Sequence, residues 1–463
     1  MVVYMTETSL KVQITQVWLP RALGDKPSSP SVVSANALAR EMRRIWLMRT
    51  SLPAAGLLCW LVAATAGAQE PPRPPQQVVA PVFQEPELMA KGFRFAEKYV
   101  KGDSGGERSG GWYPVFKTNV TGDGWISVGG GYRKPLADRH LWVDTSAAYS
   151  WRGYKTAQTT FEVPDIGGSR LSVGTQLHWQ DLTQVQYFGA GPDTSRDLRS
   201  DYRLSTTDLV GFASYRATDF LTLDVRAGRV SRPNLGSSSG PFDRGYPDAM
   251  ALYPDDPGFD QADQPGFVHT NFSAIADTRD SPSHPMHGAL YRGEAAIFSD
   301  RDTGRFSFRR YELEAVQAVP LVTGRWTLLF HGWTVFSDTT GSSEVPVYMM
   351  PSLGGSTTLR SFSDYRFHDR HFVLASAESR LALFEHIDAA VFADAGGVAM
   401  RVRDLGFRET SVGAGLRIHV RATTVARIDL AHGREGWRML LRLNEPFRLN
   451  RLSRRNAPIP FVP

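Results

Sequence analysis

The sequence predicts an all-β protein, a transmembrane antiparallel β-barrel of sixteen strands. Three observations favour this class: an export signal, long segments in which apolar and polar residues alternate, and one cysteine, Cys59, in 463 residues. Cys59 lies within the signal, so the mature chain has no cysteine for a disulfide scaffold, a cysteine-based zinc site or an iron–sulfur cluster. Apolar residues at 42% and charged residues at 21% exclude a disordered chain.

The export signal lies near the start of the chain. Residues 54–68 form an uncharged apolar run, shorter than the roughly 20 residues of a membrane-spanning helix. Three arginines precede it, Arg43, Arg44 and Arg49. Small residues close the run at Ala66 and Ala68, the positions that a signal peptidase reads. This order predicts a signal peptide over 42–68 with cleavage before Gln69; a buried helix or an N-terminal anchor is the alternative.

The remaining segments follow from this boundary. Residues 1–41 match neither a signal nor a domain, which indicates a mis-assigned start or a leader. Residues 69–111 are rich in Pro and Gln at their start and predict a periplasmic linker with a short helix near 87–100. The barrel is predicted over 112–447, and 448–463 is a C-terminal tail.

Alternation of period two is the evidence for strands. In 412–420 an apolar set alternates with Arg417 and His419. The predicted strands, of about ten residues, exceed the five or six of a typical soluble sheet. A Lys or Arg that faces lipid at mid-bilayer costs roughly 2–4 kcal/mol, so the charged face is predicted to line the lumen. A soluble β-sandwich or a lipocalin-like barrel would show the same alternation and is the alternative.

Sixteen segments fit this pattern, an even number as bacterial barrels require. They are 112–120, 124–133, 139–152, 155–163, 168–179, 202–216, 219–230, 265–278, 287–299, 305–319, 324–337, 371–382, 385–395, 408–420, 423–432 and 435–447. Three long connections, 180–201, 231–264 and 338–370, are predicted to be extracellular, because the periplasmic turns of such barrels are short.

Three features weigh against other functions. Lys and Arg (52) nearly balance Asp and Glu (47), whereas a nucleic-acid partner requires a concentrated basic surface. Residues 102–106 read Gly-Asp-Ser-Gly-Gly, which matches serine-hydrolase motifs. A nucleophilic Ser104 would need a histidine base, a strand before it and a helix after it, but a linker follows it. The eleven histidines show no H-E-x-x-H pattern or paired ligand spacing. We therefore expect no catalytic residue, no cofactor and no metal site.

Two motifs carry a family resemblance. The connection 338–370 contains Leu359-Arg360-Ser361-Phe362, and the thirteenth predicted strand contains an F-x-D-x-G pattern at Phe392, Asp394 and Gly396. The pair resembles the bacterial surface antigen superfamily of outer-membrane barrels, which has V/L-R-G-F/Y in its sixth extracellular loop and F-x-D-x-G on strand thirteen. The superfamily includes the barrel-assembly factor, the translocation-and-assembly factor and the two-partner secretion transporters.

The resemblance implies a particular arrangement of these residues. The loop should fold into the lumen, where Arg360 should meet Asp394 and the strand-twelve Glu378 in a loop latch. The alternation along the strands agrees with this arrangement, because Glu378 and Asp394 both fall on the inward set. A second cation, Arg380 or Arg417, should lie near them. The latch would hold a gate or plug; the alternative is that the same contacts stabilise the fold during insertion. Ser361 stands where the family has glycine.

The resemblance also implies a function. The predicted linker has no room for the periplasmic POTRA modules of the family, so the chain resembles the subgroup that lacks them. We expect a monomeric barrel in the outer membrane of a Gram-negative bacterium that acts in membrane biogenesis or in transport and translocation across that membrane. Its partners would be outer-membrane lipid, the barrel-assembly machinery during insertion and a periplasmic protein. A passive pore or a structural surface barrel is the alternative.

Overall fold

The computed structural model describes most of the chain from residue 81 to residue 443. The described ranges are 81–99, 110–115, 127–137, 140–168, 170–259, 264–420 and 423–443. The predicted leader 1–41, the signal peptide 42–68 and the tail 448–463 lie outside the described residues, as does Ser104.

Long antiparallel strands dominate the structure, and each pairs with the next along the chain. They are β1 Gly111–Val115, β2 Ser127–Leu136, β3 Leu141–Ser150, β4 Lys155–Val163, β5 Leu171–Tyr187, β6 Ser200–Arg216, β7 Leu221–Val230, β8 Phe267–Asp277, β9 Gly288–Asp300, β10 Phe308–Val322, β11 Trp326–Thr339, β12 His371–Ala382, β13 Ile387–Ala399, β14 Glu409–Val420, β15 Thr423–Gly433 and β16 Gly436–Arg442. The predicted fold class is confirmed, and the sixteen predicted strands each correspond to one of these strands within the described residues.

Several shorter elements belong to the connections. The strand Asn234–Ser237 pairs with β6, and Ser352–Leu353 pairs with Phe367–His368 in a separate small sheet. The helices are α1, Glu87–Tyr99, where the sequence predicts a short helix, and α2, Ala249–Leu252. Single 3-10 turns are formed by Ile166–Gly168, Arg196–Leu198, Val347–Met349 and Val402–Asp404. Neither helix has the length and hydropathy that crossing a membrane requires.

The connections divide the barrel into two unequal ends. At one end, which we call the long-loop end, β5–β6, β7–β8 and β11–β12 are joined by the extended connections 188–199, 231–266 and 340–370. At the opposite, short-turn end, β8 joins β9 through 278–287 and β12 joins β13 through 383–386. Antiparallel order places successive connections at alternate ends, so long loops gather on one side of the barrel.

The two faces of each strand differ as the alternation predicts. On β14, Val412 is 53% exposed, whereas Ser411 and Arg417 of the same strand are buried. Outward side chains elsewhere include Trp112, Tyr149, Trp151, Trp326, Trp437 and Met439. An apolar outer surface with a polar interior is the arrangement that a lipid bilayer selects.

Most predicted strand bounds differ from the observed ones by a few residues, and the largest difference among the described residues is at the end of the fifth strand. The sequence predicts that the fifth strand ends at residue 179, but β5 continues to Tyr187. Residues 180–187 are buried, because loops of the long-loop end cover both faces of this part of the strand. A strand covered on both faces loses the apolar–polar alternation by which it would be recognised.

Candidate functional site: a loop fixed inside the barrel

The connection 340–370 turns into the barrel, and most of its residues from 345 to 369 are buried. Leu359 and Phe362 are fully buried in an apolar cluster with Phe372 of β12 and Val398 of β13. Phe362 also contacts Phe367 edge to face, with ring centroids 5.2 Å apart. These apolar contacts bring the loop segment between them against β12 and β13.

Arg360, between these two anchors, meets two carboxylates. Its Nε and Nη2 donate to Asp394 Oδ2 and Oδ1 at 2.9 and 2.8 Å, and its Nη1 donates to Glu378 Oε2 at 2.6 Å. The paired bonds to Asp394 form a bidentate charge-assisted contact, which is both strong and geometrically selective. The structure therefore brings together the three charged residues that the sequence assigns to the latch.

Strand register explains why the two carboxylates share one cation. On β12 and β13, Ser376 pairs with Asp394 and Glu378 pairs with Phe392. Glu378 and Asp394 are thus diagonal neighbours on the inward face. Phe392 lies directly under the guanidinium, whose Cζ is 3.5 Å from the ring centroid, in a cation–π contact.

Gly396 is the next inward residue of the F-x-D-x-G motif. A Cβ at this position would lie 2.9 Å from Val373 O and 3.0 Å from Leu353 Cδ1, a side chain of the inserted loop. Glycine at this position therefore allows the loop to approach β13 closely.

The charged contacts extend beyond the predicted residues. Arg417 donates to Glu378 Oε1 and Oε2 at 2.9 and 2.8 Å and to Asp429 at 2.6 Å, and Arg380 donates to Glu378 Oε1 at 2.8 Å. Arg427 donates to Asp429 at 2.7 Å and also bonds the loop carbonyl of Ser356. The sequence indicates Arg380 or Arg417 as the second cation, and both are present.

We call these seven residues the lumen charge cluster. Its members are Arg360, Glu378, Arg380, Asp394, Arg417, Arg427 and Asp429. Four cations face three anions, so its formal charge is +1. Arg427 and Asp429 were missed by the sequence analysis, although both lie on the inward set of β15, which was the available signal.

Two side chains of the inserted loop, Arg360 and His368, have shifted pKa values. Burial alone would lower the pKa of Arg360, but the charges of Asp394 and Glu378 raise it above its usual value. Burial lowers the pKa of His368 to about 3, so this ring is neutral at physiological pH. The loop thus carries one permanent charge into the lumen charge cluster.

Ser361, at the family's glycine position, has its own seat in the barrel. Its backbone N–H donates to Ser411 Oγ at 3.0 Å, and the two hydroxyls are 2.6 Å apart. Opposite it lies Gly433, where an added Cβ would come 2.2 Å from Ser361 Oγ and 2.8 Å from Thr410 O. The absence of a side chain at Gly433 therefore provides the space that Ser361 occupies.

This close approach gives a testable expectation. Gly433→Ala should destabilise the folded barrel by about 1–3 kcal/mol, the usual cost of overpacking, and should increase proteolysis of the loop. Adding Ser361→Gly should restore part of the loss, because it removes the side-chain clash and leaves the contact with Thr410 O. Gly406→Ala is the matched control, since nothing lies within 4 Å of its Cβ. Equal sensitivity in Gly433→Ala with and without Ser361→Gly would contradict the expectation.

A second arginine fixes the outer part of the loop. Arg366 Nε donates to Glu435 Oε1 at 2.8 Å, and its Nη1 and Nη2 donate to Thr194 Oγ1 and O at 2.7 and 2.6 Å. Arg366 therefore joins the inserted loop to the connection 188–199 and to the β15–β16 turn. The sequence analysis assigned no role to this residue.

Both the sequence and the fold resemble those of known proteins. Residues 141–432 match the sequence model described as the Omp85 superfamily domain. Among solved structures, BamA from Haemophilus ducreyi lacking POTRA domains 1–3 is similar in fold, with 12% identity, a TM-score of 0.50, and coverage of 75% of this chain and 74% of that chain. No curated protein matches the sequence significantly.

Two further structures have lower scores. CdiB from Acinetobacter baumannii has 10% identity and a TM-score of 0.42, with 69% of this chain and 57% of that chain covered. CdiB from Escherichia coli has 13% identity and a TM-score of 0.43, with 66% and 55% covered.

Proposed function

This chain belongs to the Omp85 superfamily, the family that its two motifs indicate, and on that premise we propose that it acts in membrane biogenesis or in protein transport across the outer membrane of a Gram-negative bacterium. The observation that carries the proposal is the loop held inside the lumen by the lumen charge cluster. A lumen occupied by a loop on buried ion pairs suits a gated factor better than a permanently open pore.

The proposal assigns each end of the barrel to one side of the membrane. The long-loop end would face the exterior and the short-turn end the periplasm, because long loops of such barrels are extracellular. The segment before β1 contacts the short-turn end: Val82 N donates to Ala382 O at 3.1 Å, and the Phe93 ring stacks on His386 at 4.4 Å. This supports a periplasmic location for α1, where a periplasmic partner could reach it.

We assign the role of latch to Arg360 with Asp394 and Glu378. While these contacts persist, the loop stays against the inward face of β12 and β13 and blocks the lumen. Release of the loop would open a path beside these strands. If the loop never moves, the same contacts only stabilise the fold. A folded barrel that lacks the contacts distinguishes the two roles, because it would lose its function only if the contacts act as a latch.

A deletion strain separates the candidate functions. An assembly factor predicts a fall in the abundance of many other outer-membrane barrels, measured by quantitative proteomics of the outer membrane. A transporter predicts loss of a particular exported protein with the other barrels unchanged. Slower uptake of small solutes with neither change would show a passive pore and contradict the proposal.

Complementation assigns the latch within this test. The wild-type gene and the control Arg403→Ala, whose side chain is 73% exposed, should restore the phenotype. Arg360→Ala should fail to restore it although the barrel is present in the membrane at normal level. Full restoration by Arg360→Ala would restrict the lumen contacts to a structural role.

A further inference from the structure

Three metal-ligating side chains lie together at the short-turn end, apart from the lumen charge cluster. His284 belongs to the β8–β9 turn, Asp388 begins β13 and His419 lies near the end of β14. His284 Nε2 is 3.1 Å from Asp388 Oδ2, and His419 Nε2 is 3.3 Å from Asp388 Oδ1. The candidate ligand atoms all lie within 4.8 Å of one another.

These separations suit a small divalent ion. Zn²⁺ binds imidazole nitrogen and carboxylate oxygen at about 2.0–2.2 Å, so neighbouring ligands of a tetrahedral site are about 3.3 Å apart. The two His–Asp distances already have this length. Two imidazoles and one carboxylate are a ligand set that zinc accepts, with a fourth position left for water.

The hydrogen bonds behind His284 orient its ring for this role. His284 Nδ1 is 3.1 Å from Thr424 Oγ1, and that hydroxyl donates to Ser283 O at 3.4 Å. The Thr424 hydroxyl can accept from an Nδ1–H of His284, which selects the tautomer with its other ring nitrogen unprotonated. In a neutral ring Nε2 then presents its lone pair towards the Asp388 carboxylate. A cation between Nε2 and the carboxylate would satisfy both acceptors, and an Nδ1–H fixed by an oxygen is the usual support of a zinc-bound histidine.

The surroundings of His419 place more ligand atoms nearby. The His419 ring stacks on His284, with centroids 4.2 Å apart, and its backbone N–H donates to His386 O at 3.0 Å. His386 in turn bonds Glu85 at 3.0 Å. Imidazoles and carboxylates from four separate segments therefore converge at this end of the barrel.

We propose that His284, Asp388 and His419 bind a divalent transition-metal ion, for which Zn²⁺ is the best match. Its ligands come from the β8–β9 turn and from the paired strands β13 and β14. Neither β8 nor β9 pairs with β13 or β14 in the sheet. The ion would therefore hold this turn against the opposite wall at the short-turn end. This site is independent of the latch and of the proposed function.

Cobalt provides the direct test, because Co²⁺ takes zinc sites and gives visible absorption bands that report its coordination. The full mature chain, purified without a polyhistidine tag and stripped with a chelator, should bind one Co²⁺ with such bands, and Zn²⁺ should displace it. Zn²⁺ should also raise the heat-unfolding temperature. His419→Ala should abolish the Co²⁺ bands and the Zn²⁺ shift together.

Two further variants make the result decisive. His287→Ala is the matched control from the same turn; its ring is exposed, and it should leave both readouts unchanged. Asp388→Asn keeps the shape of the side chain and should weaken Co²⁺ binding at least tenfold in a barrel that still folds. Absence of Co²⁺ bands in the wild type, bands that survive His419→Ala, or bands lost only in His386→Ala would overturn the proposal.

Discussion

Replacing Arg360 with alanine should destabilise the folded barrel by about 3–5 kcal/mol, the usual cost of breaking a buried ion pair on one side. The side chains of Arg360, Glu378 and Asp394 are at most 1% exposed, so the substitution would leave both buried carboxylates with one fewer cationic partner. The loop should then leave the lumen. We expect higher conductance in planar bilayers and protease cleavage between Phe362 and Arg370.

A double-mutant cycle with Asp394→Asn measures whether the contact itself is responsible. The two substitutions should be non-additive by about 0.5–3 kcal/mol in unfolding, as expected for residues in direct contact. Arg403→Ala, an exposed arginine of the β13–β14 connection, should change neither conductance nor stability. Strict additivity of Arg360→Ala and Asp394→Asn would mean that the two residues are not coupled and would refute the latch.

Glu378→Gln should have a larger effect than Asp394→Asn, although both replace a carboxylate by an amide of the same shape. Glu378 accepts from Arg360, Arg380 and Arg417, whereas Asp394 accepts from Arg360. The Gln variant raises the charge of the lumen charge cluster from +1 to +2, with four cations against two anions. We expect a loss of about 3–5 kcal/mol.

Urea unfolding of the folded barrel in lipid vesicles measures this ranking. Glu344→Gln is the matched control, because Glu344 is 42% exposed and pairs with the exposed Arg305 at 2.9 Å. Such a surface pair contributes about 0–1 kcal/mol. If Asp394→Asn proves the more damaging substitution, Glu378 does not organise the cluster and the centre of the site lies at Asp394.

Sequence patterns were sufficient for the barrel but not for everything inside it. Strands with one lipid face and one polar face keep strict alternation, and β12 was predicted with its observed bounds. The short strand Asn234–Ser237 was not predicted. It pairs with β6 and has no lipid-facing side, so it lacks the apolar–polar alternation that marks the other strands. Inside the lumen, packing between distant segments decides the structure, and alternation carries no information about it.

The site shows the same division. Arg360, Glu378 and Asp394 could be assigned because a family motif and strand parity agree. Arg366 could not, since its partners Thr194 and Glu435 lie far from it in the chain. Likewise the sequence predicts no metal site, because His284, Asp388 and His419 have no ligand spacing and meet only when the sheet curls.

The position of the inserted loop depends on β16, the last strand among the described residues. Arg438 Nη2 and Arg442 Nη2 of β16 each lie 3.4 Å from Asp364 Oδ2 of the loop. Arg366 of the loop donates to Glu435, just before that strand. These partners lie about 70 or more residues after the loop in the chain and are synthesised after it. The loop therefore cannot settle fully until the final strand has joined the sheet. Full docking of the loop would therefore report that β16 has paired, and a barrel without this strand would lack the contacts of Asp364 and Arg366 described above.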